Sequence, residues 1–366
     1  MNPLYDDMRY MRDGKFYISA TSLNRYQLCP QSFWLSRFWK SKAINFNFVR
    51  GHFIHDCVQS YHMEGKLNIR RAYEYAMKDV DRQLAAIVKN NKEYDNLSKR
   101  QFVTDKLSQD AQCVRNYKKQ WPEKLNAIEV EKEFAVPLKR RGKDSTFMFF
   151  GFMDMVVDAG DFIEVYEIKS TSLKLDGYTS GRDRVNQTMG YAYAASQIFE
   201  KPVRIVYDLV KKVPPYLPTV LECKRAEHSP ACCNGTLVKG LSKSKSQTCT
   251  REEYVDELDK YPHIDKSSYS DFIASLCGGY SGQFRRETVL VSKVDLEAWA
   301  DNAAAIASNI YAEKPDIYRC YESCINKFGP CDFKSFCDSN NLEELNNKCN
   351  LMEGKNDSWN EFIGQG

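Results

Sequence analysis

The sequence predicts an α/β protein: a mixed β-sheet core flanked by helices, with a helical region before it and a cysteine cluster after it. Three observations carry that expectation. Residues 19–120 repeat their apolar positions with helical periodicity. Residues 129–213 run in the order β-β-β-α-β. The segment CYESCINKFGPCDFKSFC packs four cysteines between Cys320 and Cys337. Strands that alternate with a helix belong to a single α/β core, not to separate all-α and all-β parts.

The helical region spans residues 1–128. SLNRYQLCPQSFWLSRFW reads as a helix capped by Ser22, and Pro30 should kink or split it because proline lacks the N–H that the preceding turn needs. A second helix runs through GHFIHDCVQSYHM, and two longer ones through 69–88 and 99–121. The core, 129–219, opens with the alternating EVEKEFAVPL (129–138) and the strongly β-prone FMFFGFMDMVVD (147–158). After a D-A-G-D turn come the strand FIEVYEIKST (162–171), the helix RVNQTMGYAYAASQIF and the strand VRIVYDLVKKV (203–213).

Residues 220–284 are rich in Cys, Ser, Lys and Gly and read as a peripheral insertion. Its lysine run, KGLSKSKSQT, is ordinarily a solvated face; contact with a phosphate backbone is the alternative. Residues 285–340 resume the fold with ETVLVSKV and a helix over 295–311, then carry the cysteine segment. A polar tail, 341–366, closes the chain.

Composition bounds the function. At 366 residues the chain is one large domain with insertions or two ordinary ones. Being 43% hydrophobic and 28% charged, it can build a core and keep a wet surface. A net charge of +3 is too small to demand a polyanionic partner, so any nucleic-acid binding must rest on local patches. MNPLYDDMRYMRDGK has no apolar h-region, and no window approaches the roughly 18 apolar residues of a membrane span. A cytoplasmic protein without membrane contact is the expectation, a host cytoplasm if the chain is phage-encoded. Thirteen cysteines cannot all pair, and in a reducing compartment a dense cluster points to metal or iron–sulfur ligation.

Glu167 and Lys169 are two apart on a strand and so share a face, about 6–7 Å apart. Alone, E-x-K is ordinarily an exposed ion pair. Asp154, thirteen positions before Glu167 across the turn, should lie beside it. Two carboxylates with a nearby ammonium suit metal-dependent phosphodiester hydrolysis. Hard cations take oxygen ligands and keep waters, and one such water can attack phosphorus.

G-F-M-Asp154…Glu167-Ile168-Lys169 resembles the motif of the PD-(D/E)XK nuclease superfamily, with Phe152 and Met153 at the proline position. Gly51-x-x-x-His55 and Gln187-x-x-x-Tyr191 resemble the RecB-type signatures in the same order, His52 being the rival to His55. Cys29 with Cys324-x6-Cys331-x5-Cys337 resembles the cysteine pattern of iron–sulfur nucleases: AddB-like subunits, CRISPR adaptation exonucleases and phage homologues. This resemblance implies a restriction-endonuclease-like fold and catalysis by Asp154, Glu167 and Lys169. It implies Mg²⁺ or Mn²⁺ on His55, Asp154, Glu167 and the backbone carbonyl of Ile168, with Gln187 and Tyr191 along the DNA.

It further implies a [4Fe–4S] cluster on Cys29, Cys324, Cys331 and Cys337 that staples distant parts of the chain. Zn²⁺ is the rival occupant, and Cys320 the rival to Cys324. The remaining cysteines are expected to be buried or plain thiols. The implied activity is an exonuclease on single strands or DNA ends in recombination or repair, with a helicase or recombinase as partner. The alternative is a catalytically silent DNA-binding subunit of a larger helicase–nuclease complex.

Overall fold

The computed structural model describes residues 11–41, 46–88, 96–172, 175, 177–179, 185–212, 217–223, 232–233, 236–244, 249–276, 278–280, 282–312, 317–326 and 329–352. A hairpin, β1 (Met11–Arg12) and β2 (Lys15–Ile18), leads into α1 (Ala20–Leu28) and α2 (Pro30–Phe38). The single helix expected here is two. Cys29 leaves the helical conformation, and Pro30 opens α2 at the position where its missing N–H costs nothing. The cap of α1 is Ser19, whose hydroxyl accepts from the Ser22 N–H at 3.3 Å. Ser22, expected as the cap, lies buried in the first turn because the helix begins at Ala20.

After β3 (Trp39–Ser41) come three long helices: α3 (Phe46–Glu64), α4 (Ile69–Val88) and α5 (Asn96–Gln120). The core follows as β4 (Ala127–Arg140), β5 (Lys143–Asp158), β6 (Ile163–Thr171), α6 (Asn186–Phe199) and β7 (Val203–Lys211). The insertion is more regular than its composition suggests. It holds β8 (Val220–Cys223), β9 (Cys232–Cys233), β10 (Thr236–Leu241), α7 (Arg251–Asp259) and α8 (Ser270–Ser275). A core of its own forms there around Leu241, Tyr254, Leu258 and Tyr269. β11 (Phe284–Leu290) and α9 (Lys293–Ile310) return to the main body. The cysteine segment carries β12 (Ile325–Asn326), β13 (Gly329–Pro330) and α10 (Lys334–Ser339), and the polar tail carries α11 (Leu342–Lys348) and β14 (Cys349–Leu351). Among the described residues no helix is long and apolar enough to cross a membrane.

The main sheet has seven strands in the order β1-β2-β5-β6-β7-β11, with β4 also paired to β5. It is mixed: β2 with β5 and β6 with β7 run parallel, and the other pairs are antiparallel. One face packs on α1, α6 and α9 through Phe149, Val165, Ala192, Tyr193, Trp299 and Ala303. The other packs on α3, α4 and α5 through Ile168 and Val210 of the sheet and Phe53, Val80 and Leu107 of the helices. β6 is therefore central and covered on both sides, which its long apolar run requires.

Helix α6 sits very close to the sheet. A Cβ built on Gly190 would stand 2.6 Å from Phe149 Cε1 and 3.0 Å from Trp299. Alanine would gain about 1 kcal/mol of helix propensity, but overpacking costs about 1–3 kcal/mol. Gly190→Ala should lower the melting temperature in thermal denaturation; an unchanged or higher value would contradict so close an approach.

The opposite layer is held by a buried polar network. Tyr117 donates to Asp208 Oδ2 at 2.5 Å, and Arg286 Nε donates to the same atom at 3.1 Å. The Leu125 N–H donates to His62 Nδ1, so the imidazole proton sits on Nε2, 2.9 Å from the Tyr117 hydroxyl. Four elements, α3, α5, β7 and β11, are tied at one point.

Candidate active site

The bland alternative for E-I-K fails on burial. Glu167 is only 2% exposed on a strand covered from both sides, so it is no surface ion pair. A carboxylate in that position costs several kcal/mol of desolvation unless it is paired. Its neighbours supply partial compensation. The Lys169 ammonium donates to Glu167 Oε1, and Gln187 Nε2 donates to the same oxygen at 2.6 Å. Lys169 also donates to Gln187 Oε1 at 3.2 Å, which closes a ring of three side chains. Glu167 Oε2 is buried and has no hydrogen-bond partner among the described residues.

Asp154 comes from β5. The register Met155↔Tyr166 places it opposite Glu167, and its Oδ2 accepts from the Ile168 N–H at 2.9 Å. His55, on α3, brings Nδ1 to 3.5 Å from that same oxygen. His52, the rival, is exposed and packs against Phe48, with ring centroids 4.1 Å apart. The structure thus gathers Asp154, Glu167, Lys169 and His55 at one spot. Gln187 and Tyr191, one turn apart on α6, bond inward there: Gln187 Nε2 also donates to the Tyr191 hydroxyl at 3.4 Å. The Tyr191 ring packs edge-on against Phe134.

The electrostatics follow from this crowding. Burial, with the Asp154 charge beside it and against the pull of Lys169, pushes Glu167 up to about 7. Burial likewise raises Asp154 to about 6, against Lys169 and the Ile168 N–H. Burial depresses the His55 imidazole to about 4, helped by Lys169, so it is neutral and able to act as a ligand at pH 7. Burial pulls Lys169 down, but Glu167 and Asp154 outweigh it and the amine stays protonated. Two carboxylates that resist ionisation together, one with a bare buried oxygen, have the chemistry of a hard-cation site. As placed, Lys169 takes the other Glu167 oxygen. Among the described residues no group of three or more His, Cys, Asp or Glu stands arranged to hold a metal ion.

Two residues at this spot escaped the sequence. Gln59, 6% exposed on α3, donates to Glu131 Oε1 and, at 3.3 Å, to the Asp154 carbonyl. It lies four residues beyond His55, a spacing that shares a helix face and is the signal that was available. Glu131 on β4 falls opposite Asp154 in the register, between Val130↔Met155 and Lys132↔Met153. Its backbone is left-handed, φ 48°, inside a strand. The side-chain alternation of β5 breaks beside it. Met153 packs in the main core while Met155 packs with Val157, Tyr166 and Val206, although strict alternation would put both on one face. No sequence pattern announces a left-handed backbone in a glutamate.

The cysteines form a second locus. Cys29, between α1 and α2, caps α2: its Sγ accepts from the Ser32 N–H at 3.4 Å and the Cys320 N–H at 3.5 Å. Ser32 Oγ lies 3.9 Å from Cys331 Sγ, and Arg319 donates to Cys324 Sγ at 3.6 Å. Burial pushes Cys337 up to about 11, against Arg319 and with the sulfurs of Cys331, Cys29 and Cys324 adding to the rise. Cys337 therefore lies within electrostatic reach of the other three sulfurs. Cys320 contributes its backbone N–H. Cys57, Cys113, Cys249 and Cys349 are buried thiols, and Cys277 lies outside the described residues.

No curated protein matches the chain significantly. Among solved structures, the crystal structure of SSO0001 matches at 15% identity and a TM-score of 0.22, over 57% of this chain and 68% of that one. The PD-(D/E)XK nuclease superfamily profile matches residues 17–338, the span that holds every residue of both loci. The chain belongs to the PD-(D/E)XK nuclease superfamily, and its mixed sheet between two helical layers is the restriction-endonuclease-like fold.

Proposed function

We propose that the chain is a deoxyribonuclease that trims single-stranded DNA or DNA ends in recombination or repair, with an iron–sulfur cluster as a structural staple. Superfamily membership implies a metal-dependent nuclease with DNA as substrate. The observation that carries the proposal at this site is the unpartnered, buried Glu167 Oε2 beside Asp154, Lys169 and His55.

Asp154, Glu167, neutral His55 and the Ile168 carbonyl would hold Mg²⁺ or Mn²⁺. Such a cation makes its bound water more acidic and offsets the charge that builds on a phosphate. The protein's own groups do the rest. Glu167 and Asp154 hold Lys169 as an ammonium, so it serves as a donor to the attacking water or a phosphate oxygen. Gln187 fixes the Glu167 and Lys169 side chains in one arrangement, and Tyr191 steadies Gln187 beside the DNA path. Gln59 ties α3 to the strand that carries Asp154.

Cys29, Cys324, Cys331 and Cys337 would ligate the cluster. The N–H groups of Ser32 and Cys320 and the Arg319 guanidinium, aimed at sulfur, suit thiolates better than thiols.

The test uses 5′- and 3′-labelled linear DNA and circular DNA side by side, with Mg²⁺ or Mn²⁺. Linear single strands should shorten from an end while circles persist, and Lys169→Ala should lose about 10²–10³-fold in rate. Lys169 is partly exposed, and Glu167 Oε1 keeps the Gln187 N–H, so the variant should fold. Cleaved circles would overturn the exonuclease assignment. DNA binding without any cleavage would make the chain the silent subunit.

A further inference from the structure

We infer that Phe48 and His52 form a nucleobase-stacking step on α3, immediately beside the cleavage site. This rests on the nuclease reading above and names how that site grips its strand. Positions 48, 52, 55 and 59 recur at helical spacing along one face of α3. His55 on that face reaches Asp154, and Gln59 reaches Glu131 and the Asp154 carbonyl. Gly51, on the same side, lies against Ser170: a Cβ there would stand 3.7 Å from its hydroxyl. The face thus looks onto the strands that carry the carboxylates.

Two turns from His55, that same face ends in a 56% exposed phenylalanine with an exposed imidazole resting on it. The rings are tilted at 46°. Seven helical residues rise about 10 Å, which is about three stacked nucleotides from the reacting phosphate. Bases on a single strand are sequence-tolerant π-faces, and such a surface takes them without reading sequence. His52 is thereby assigned to substrate and not to the metal.

The experiment is a cycle on the full-length protein. Fluorescence anisotropy without divalent metal would measure binding of a labelled single-stranded oligonucleotide. A second oligonucleotide carries three consecutive abasic positions, moved along the strand. Phe48→Ala and His52→Ala should each weaken binding of the normal strand by about tenfold, the size of one lost stack. Phe48→Trp should restore it, and Phe48→Leu should not. With abasic positions at the sensitive place, wild type and Phe48→Ala should bind alike. In Mg²⁺, KM should rise more than kcat falls.

Equal losses for both proteins on abasic DNA would overturn the stacking step. So would a Phe48→Ala that melts earlier yet binds as wild type, which would assign the ring to packing. Both of those outcomes leave the nuclease reading standing. A wild-type protein that neither binds nor cuts DNA would bring down that reading and this inference together.

Discussion

Asp154→Asn is expected to abolish cleavage while making the metal-free protein more stable above about pH 6. The two effects share a cause. Asp154 is held beside Glu167 with its pKa pushed up to about 6 by burial, against the ordinary value of 3.8. A carboxyl whose folded pKa is raised costs nothing while protonated, and its cost grows as pH climbs from about 4 through 6. Asparagine keeps an oxygen to accept the Ile168 N–H and sheds the charge. Its removal also relieves Glu167, which the Asp154 charge pushes up. About two pKa units at 1.36 kcal/mol each set the gain at up to about 3 kcal/mol at pH 8, vanishing near pH 4. Lys169 loses an attractive neighbour, which trims the figure. Cleavage should fall by at least about 10²–10³-fold, since the variant removes a carboxylate that is proposed above to hold the cation. Denaturation curves at pH 4 and pH 8 decide the matter. Lower stability at pH 8 would mean that the pair is not strained.

Cys331→Ser is expected to give a poorly soluble protein of much reduced stability, with iron lost from anaerobic preparations. Cys29 and Cys331 are 302 positions apart, and a cross-link over so long a closure restricts the unfolded chain by about 5 kcal/mol. Ligand binding that exists only in the folded state adds directly to folding stability. Serine leaves Cys29, Cys324 and Cys337 crowded without their fourth sulfur. Wild type purified without oxygen should be brown. Stoichiometric zinc in a colourless protein would replace the cluster by the rival metal, and a Cys331→Ser variant as stable as wild type would remove the staple altogether.

Much of the fold is legible because its signals are local. The helix over 69–88 has an apolar stripe strong enough to fix its bounds, and α4 is that segment. The strands around D-A-G-D follow from alternation and a turn, and the register then puts Asp154 opposite Glu167. Elements whose character is set by distant contacts are the ones that differ. Ser19 caps α1 in place of Ser22 because the helix begins one turn earlier, where Ile18 is pinned to Phe149 in the sheet. The insertion carries turn-forming residues yet finds a core in Tyr254 and Tyr269, side chains far apart in sequence from the strands they cover. At the site, the residue types that do chemistry are visible by motif. Glu131 is not, because its place depends on a left-handed backbone inside a strand, which no residue pattern announces for a glutamate.

The pairing of β3 with β14 has a consequence for biosynthesis. Trp39 joins Leu351 and Ser41 joins Cys349, and Phe38 and Trp39 are covered by Phe333 and Leu345. Phe38 and Trp39 thus stay unshielded until residues about 300 positions later have left the ribosome. Contacts across such a separation form late and slowly. Nascent chains that stall before residue 345 would expose two large rings to chaperones and proteases.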